Sequence, residues 1–235
     1  MLYKRISSLL LILLSTSFAY AQSSGGLSST QPDYRLNGTA TLASNFVEKG
    51  LTQTKGDPGL QSDFWFNFGS QFRMGLWGAN VRYDSTQTTH FWLKANADVK
   101  VDFSDSVKMN IIYNENKYFK ANNRDGNTVG IHFDFWGWKI IYDMDSNWEG
   151  TRNGATYAGA GKDTLIGGGS WIWSNQGGYT MPKADGVNGF FDIRSGIGSK
   201  LKDFILMGSL TYTTATGEFK DQGQLAFILS ATVGF

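Results

Sequence analysis

The chain has 235 residues, with 21 Lys+Arg against 20 Asp+Glu and no cysteine. Disulfide frameworks and thiolate metal sites are thereby excluded, and a formal charge of +1 leaves no basic footprint for nucleic acid. Twenty-nine glycines, three prolines and 15% aromatic residues point to an all-β chain with many turns, since proline cannot donate to a strand ladder and disordered segments are poor in aromatics.

Residues 1–21 carry the three parts of a secretory signal. Lys4 and Arg5 supply the positive end, Ile6 to Phe18 is apolar and Leu-rich, and Ala19-Tyr20-Ala21 gives the small-x-small cleavage pattern before Gln22. The apolar stretch is shorter than the ~20 residues that a spanning helix needs. Cleavage would remove Lys4 and Arg5 and take the formal charge from +1 to −1. Residues 22–32 are rich in Ser and Gly without periodicity and read as a flexible periplasmic leader. Residues 33–235 read as the folded domain.

From there apolar and polar residues alternate almost to the end. In 90–103, Phe91, Leu93, Ala95, Ala97, Val99, Val101 and Phe103 share one face; Trp92, Lys94, Asn96, Asp98, Lys100 and Asp102 share the other. Period two is the mark of a strand whose faces meet different surroundings. Further strands are expected at 34–47, 59–69, 71–83, 106–119, 128–136, 138–146, 163–174, 188–199, 203–214 and 223–235. Tight connections at Gly69-Ser70, Ser104-Asp105-Ser106, Gly137 and Lys200-Leu201-Lys202 alternate with longer polar ones at 48–58, 84–89, 120–127, 175–187 and 215–222. Outer-membrane barrels show that rhythm and need an even number of strands. A weak strand at 152–160, turning at Gly161-Lys162-Asp163, restores the alternation. The expectation is an all-β, antiparallel up-and-down transmembrane barrel of about twelve strands, with ten as the fallback. A phase change in 71–83 suggests a bulge near Ala79-Asn80, or the strand leaving the membrane. Tyr34, Trp138, Tyr142, Trp171, Trp173 and Tyr212 lie at strand ends, where a headgroup belt would want aromatics.

The last residues, LAFILSATVGF, alternate and stop on Phe235. This resembles the closing strand of bacterial outer-membrane barrels, and the resemblance implies that the barrel-assembly machinery reads it. Residues 43–61, ASNFVEKGLTQTKGDPGLQ, resemble the opening motif of the TorF-type porin family of proteobacteria. Ser44, Phe46, Gly50, Leu51, Thr52, Gln53, Thr54, Pro58 and Gln61 fit that motif; Asn45 stands where the family has an aspartate and Lys49 where it has an arginine. The resemblance implies an outer-membrane barrel with a porin-like role. Read from its residues, the stretch is a strand running into an external loop, in which Gly50, Gly56 and Gly59 can supply positive φ.

Candidate chemistry is confined to the expected lumen face: Asp63, Asn67, Arg73, Lys94, Asn96, Asp98, Lys100, Asp102, Lys108, His132, Asp134, Asp192 and Arg194, with Trp65, Trp77 and Trp92 also inward. His132 and Asp134 share a face, but two ligands make no metal site, and neither histidine has a nucleophile motif around it. The function expected is a narrow porin-like channel for small polar solutes or ions, embedded in outer-membrane lipid, without a cofactor and not an enzyme. The alternatives are a closed structural or adhesive barrel and a lipid-modifying barrel enzyme.

Overall fold

In a computed structural model, which describes residues 36–82, 90–201, 204–217, 219 and 225–235, the alternating segments close into a barrel. β1 (Leu36–Ala43) is followed by two short strands, β2 (Val47–Glu48) and β3 (Leu51–Thr52), that pair only with each other. The wall continues with β4 (Gly59–Phe68), β5 (Phe72–Val81), β6 (His90–Ser104), β7 (Val107–Phe119), β8 (Gly126–Phe135) and β9 (Trp138–Asp145). It is completed by β10 (Ala155–Ile166), β11 (Trp171–Pro182), β12 (Phe190–Leu201), β13 (Phe204–Thr213) and β14 (Ala226–Gly234). β1 and β4–β14 make twelve antiparallel wall strands, each beside its chain neighbour, and β1 closes on β14. The signal and leader expected at 1–32, Tyr34, Tyr83, the connection 84–89 and Lys202 lie outside the described residues.

Closure satisfies every strand edge, which a sheet in hydrocarbon requires. At the seam Thr39 to Ala43 pair with Gly234 to Ser230. Gly38 and Phe235 then exchange both backbone hydrogen bonds, at 2.8 and 3.0 Å. The Phe235 ring lies over Gly38, where a Cβ would come within 2.5 Å of it, and 5.6 Å from the Phe64 ring. The terminal aromatic therefore covers the join between the first and last strands from outside.

The outer face is apolar and exposed. Phe91 and Val99 of β6, Phe133 and Phe135 of β8, and Phe227 and Leu229 of β14 all point away from the lumen. Trp138, Tyr142, Trp171, Trp173 and Tyr212 are also exposed there. Ile228, the apolar residue out of phase in the closing strand, is 2% exposed and points inward.

Three expectations need correcting. No bulge interrupts β5: its register runs unbroken from Phe72↔Val99 to Val81↔His90, and Ala79 and Val81 are inward residues buried under an apolar cluster. The segments 152–160 and 163–174 are also displaced. β10 runs on to Ile166, and its connection to β11 is not Gly161-Lys162-Asp163 but Gly167, Gly168 and Gly169, all at positive φ. Consequently 175–182, expected in an external loop, is the second half of β11, and the connection that follows is short. Glycine hid this strand. Gly178 sits where any Cβ would run into the Tyr157 hydroxyl, so a lumen residue is absent from the pattern to make room for a large one on β10.

Candidate functional site in the barrel lumen

The third correction concerns 48–58, which is not a free external loop. Between β1 and β4 the chain turns back into the barrel as the β2–β3 hairpin, with Val47↔Thr52 and Glu48↔Leu51 as its register. Lys49 (φ 47) and Gly50 (φ 80) occupy the two central positions, the type I′ pattern that suits a two-residue hairpin. Gly50 is also required by space, since a Cβ there would strike Cβ of Asp192 on the facing wall.

Short polar side chains hold the hairpin together. Asn45 Oδ1 accepts from the Thr52 and Thr54 hydroxyls at 2.6 and 3.0 Å. The Phe46 N–H donates to Thr54 Oγ1 at 3.1 Å, and the Gln53 N–H to the Phe46 carbonyl at 2.7 Å. The Arg82 N–H donates to the Gln53 carbonyl, fastening the segment to the end of β5.

Two apolar anchors and a charged tip seat it across the lumen. Phe46 is 6% exposed and packs with Ala79, Val81 and Trp92, its ring 5.7 Å from that of Trp77. Leu51 is 1% exposed and packs with Trp148, Ala155, Phe190, Ala215 and Phe219. Fully burying such a side chain contributes roughly 1.5–3 kcal/mol. Between the anchors, Lys49 Nζ meets Asp145 Oδ2 at 3.0 Å and Asp143 Oδ2 at 3.1 Å, both on β9. Burial would lower the Lys49 pKa, but Asp145, Asp143 and Glu48 more than offset this and hold the ammonium above its usual range. Glu48 in turn accepts from Lys94 Nζ at 2.9 Å, and that ammonium also lies 4.4 and 4.0 Å from the Trp77 and Trp92 ring centroids.

The hairpin narrows the lumen and leaves space around itself. A cavity of about 80 Å³ separates it from β6–β9 beside Lys94, Asn116 and Asp143. A cavity of about 310 Å³ lies on its other side, between the hairpin base and β1, β4 and β12–β14. Towards the tight-turn end, another of about 390 Å³ is bounded by Arg73, Asp98, Lys100 and His132.

No family model matches the chain, and no curated protein matches it. Among solved structures, the barrel is similar to LpxR from Salmonella typhimurium, with a TM-score of 0.53 and 9% identity over 85% of this chain and 99% of that one. It is similar to the COG4313 outer membrane channel from Pseudomonas putida F1, with a TM-score of 0.51 and 9% identity over 91% and 99%. The Acinetobacter baumannii outer membrane protein Omp33 gives a TM-score of 0.50 at 7% identity over 86% and 98%. These likenesses show the fold: an outer-membrane β-barrel.

Within it the thirteen candidate residues fall into separate groups. Arg73 and Asp98 form an ion pair, with Asn67 across from Arg73 in the register. Lys100 pairs with Asp102 at 3.2 Å, and Lys108 stands opposite both Asp102 and Asp134. Asp63 and Asn96 lie on the wall strands flanking β5. His132 Nε2 bonds Asp143 at 2.9 Å rather than its chain neighbour Asp134, which places it beside the Lys49 network. Among the described residues no group of three or more His, Cys, Asp or Glu could hold a metal ion. Asp192 is buried beside the Tyr157 hydroxyl, 3.5 Å away, and Arg194 donates to Ser209 Oγ at 3.3 Å. The sequence reading missed Phe46, Glu48, Lys49, Leu51, Asp145 and Tyr157 as lumen groups. A signal was present: Phe46, Val47 and Leu51 are costly to leave in a free polar loop, and Lys49-Gly50 between them marks a tight hairpin.

Proposed function

We propose that the protein is a narrow outer-membrane channel for small polar solutes or ions, constricted by its own first loop. The observation that carries this is a polar, charged lumen in which the hairpin at 45–54 is firmly seated yet leaves cavities on both sides and below. The resemblance of 43–61 to the TorF-type porin motif supports it, since those residues build the constriction. So does the likeness to a barrel named as a channel, although the likeness to LpxR means that the fold alone does not choose. In this reading the chain is not an enzyme, and the His132–Asp143 pair serves the network around Lys49. Export by the signal at 1–21, with Gln22 as the first mature residue, and recognition of the Phe235 strand by the assembly machinery belong to the same reading. Intact mass of the purified mature protein checks the first. The second requires that deleting Phe235 lower the folded barrel in outer membranes more than Ser230→Thr does.

The decisive experiment is planar-bilayer recording of the full barrel against a variant whose residues 46–53 are replaced by a short Gly/Ser linker. Wild type should give small steps and the variant larger ones, because the object filling the lumen is gone. If both folded proteins give no steps, the barrel is closed and its role is structural.

A further inference from the structure

The cavity beside β1, β4 and β12–β14 differs from the other lumen spaces in its charge. Arg194 is the one ionisable side chain among the described residues lining its 310 Å³. Most other lumen cations are matched: Arg73 by Asp98, Lys94 by Glu48, Lys100 by Asp102, and Lys49 by Asp143 and Asp145, while Lys108 stands opposite Asp102 and Asp134 in the register. Among the described residues Arg194 has no such partner. Its Nε–H donates to the Ser209 hydroxyl at 3.3 Å, and no carboxylate of a described residue pairs with it. The nearest acid along its own strand face, Asp192, is turned to the Tyr157 hydroxyl instead.

A half-buried guanidinium without a counter-ion favours an anion, and its terminal N–H groups suit two oxygens side by side. Gln61, Asn45 and Thr41 supply further polar groups to the same cavity, while Ile205 and Met207 make part of its wall apolar. At about 310 Å³ it falls near the lower end of small-molecule sites, roughly 300–1,000 Å³. We propose that this cavity is the solute-selecting site of the channel and takes small organic monocarboxylates, the carboxylate on Arg194 and a short aliphatic body against Ile205 and Met207. The proposal rests on the channel reading above.

The carboxylate accounts for the unmatched charge, and the apolar wall for a body larger than a bare halide. A dicarboxylate would leave its second charge against Ile205 and Met207 without a cation, at the cost of an unpaired buried ion. A cation would meet Arg194 head on. The site should therefore prefer butyrate over succinate and exclude ethylammonium.

The test is bilayer recording of the full-length barrel with sodium butyrate, sodium succinate and ethylammonium chloride as probes. Wild type should show an anion-preferring reversal potential in a chloride gradient, and millimolar butyrate should reduce the chloride current more than succinate or ethylammonium does. Arg194→Gln should lose most of the anion preference and of the butyrate block, and Arg194→Lys should recover the preference but only part of the block. Butyrate block in wild type is read without any variant, so a folding failure of Arg194→Gln leaves the proposal open to refutation. Steps that Arg194→Gln leaves unchanged in selectivity, or no butyrate block in wild type, overturn the site while the channel stands. Absence of steps in folded wild type removes the channel and the site together.

Discussion

The two sides of the lumen are built from the same residue types and do different things with them. On the β6–β9 side, charges are dense and spent on one another: Lys94 holds Glu48, Lys100 holds Asp102, and Asp143 and Asp145 hold Lys49. On the β12–β14 side charges are sparse, and Arg194 is the one ionisable side chain among the described residues lining a cavity about four times as large as the one beside Lys94. Counting charged residues on a lumen face therefore misjudges where a solute meets a field. An ion pair closes a wall and fixes a loop, whereas an unmatched cation in a roomy cavity can act on whatever enters.

Breaking the dense side should have the largest effect, and Lys49 is where to do it. Lys49→Met removes the cation shared by Asp143 and Asp145 and leaves two half-buried carboxylates without it. Removing one partner of a buried pair costs roughly 3–5 kcal/mol, and residual wetting will reduce that here. The hairpin should leave its seat for part of the time, seen as protease cleavage within 44–58 and as noisy, enlarged conductance. Unchanged protection would show that apolar contacts alone hold it.

Leu51→Ala probes those contacts. Leu51 sits 1% exposed among Trp148, Ala155, Phe190, Ala215 and Phe219. Cutting it back should cost about 3 kcal/mol, comparable to Lys49→Met or a little less. The double variant should cost less than the sum of the two, because each anchor keeps the other in place and the first loss already takes part of the second's contribution. Fold-increases in cleavage that simply multiply would mean that tip and anchor act independently.

Much of the wall was legible in the sequence, for a physical reason. Lipid on one side and a wet lumen on the other impose period two, so 90–103 could be phased from its residues, and the tight turns set the count at twelve. Legibility failed where small residues replaced the pattern. In β10 and β11, Gly159, Gly161, Gly177 and Gly178 carry no side chain to alternate, and Tyr157 fills the space left by Gly159 and Gly178. It failed again at the hairpin, whose contacts come from strands distant in sequence: Asp145 lies 96 residues from Lys49. No local spacing announces such a partner. What could be read was the oddity of Phe46 and Leu51 within a polar stretch.

Alkali offers a gentler way to test the dense side. With its pKa raised in the folded state, Lys49 contributes stability that is fully present below the unfolded value, about 10.4, and lost only as pH rises through the higher folded value. Protection of 44–58 should therefore stay constant from about pH 7 to about pH 10. Loss of protection near pH 8 would mean that the ion pair with β9 is not what seats the tip.

The smallest effect is expected at Lys100, and its smallness is informative. Lys100→Gln changes the lumen charge by the same one unit as Arg194→Gln, so a simple tally gives the two variants equal weight. Their surroundings do not. Lys100 lies 3.2 Å from Asp102, both substantially exposed, on a strand end facing the tight-turn mouth. Exposed charges there are screened within a Debye length, about 8 Å at physiological salt, and the released Asp102 is rehydrated at little cost. Arg194 has no carboxylate among the described residues to release, and its cavity is walled in part by Ile205 and Met207. The shift in reversal potential for Lys100→Gln should thus be a minor fraction of that for Arg194→Gln. It should vanish at about 1 M salt, where the Debye length is near 3 Å. Equal shifts would place the narrow part of the passage along β6 and undo the distinction between the two walls.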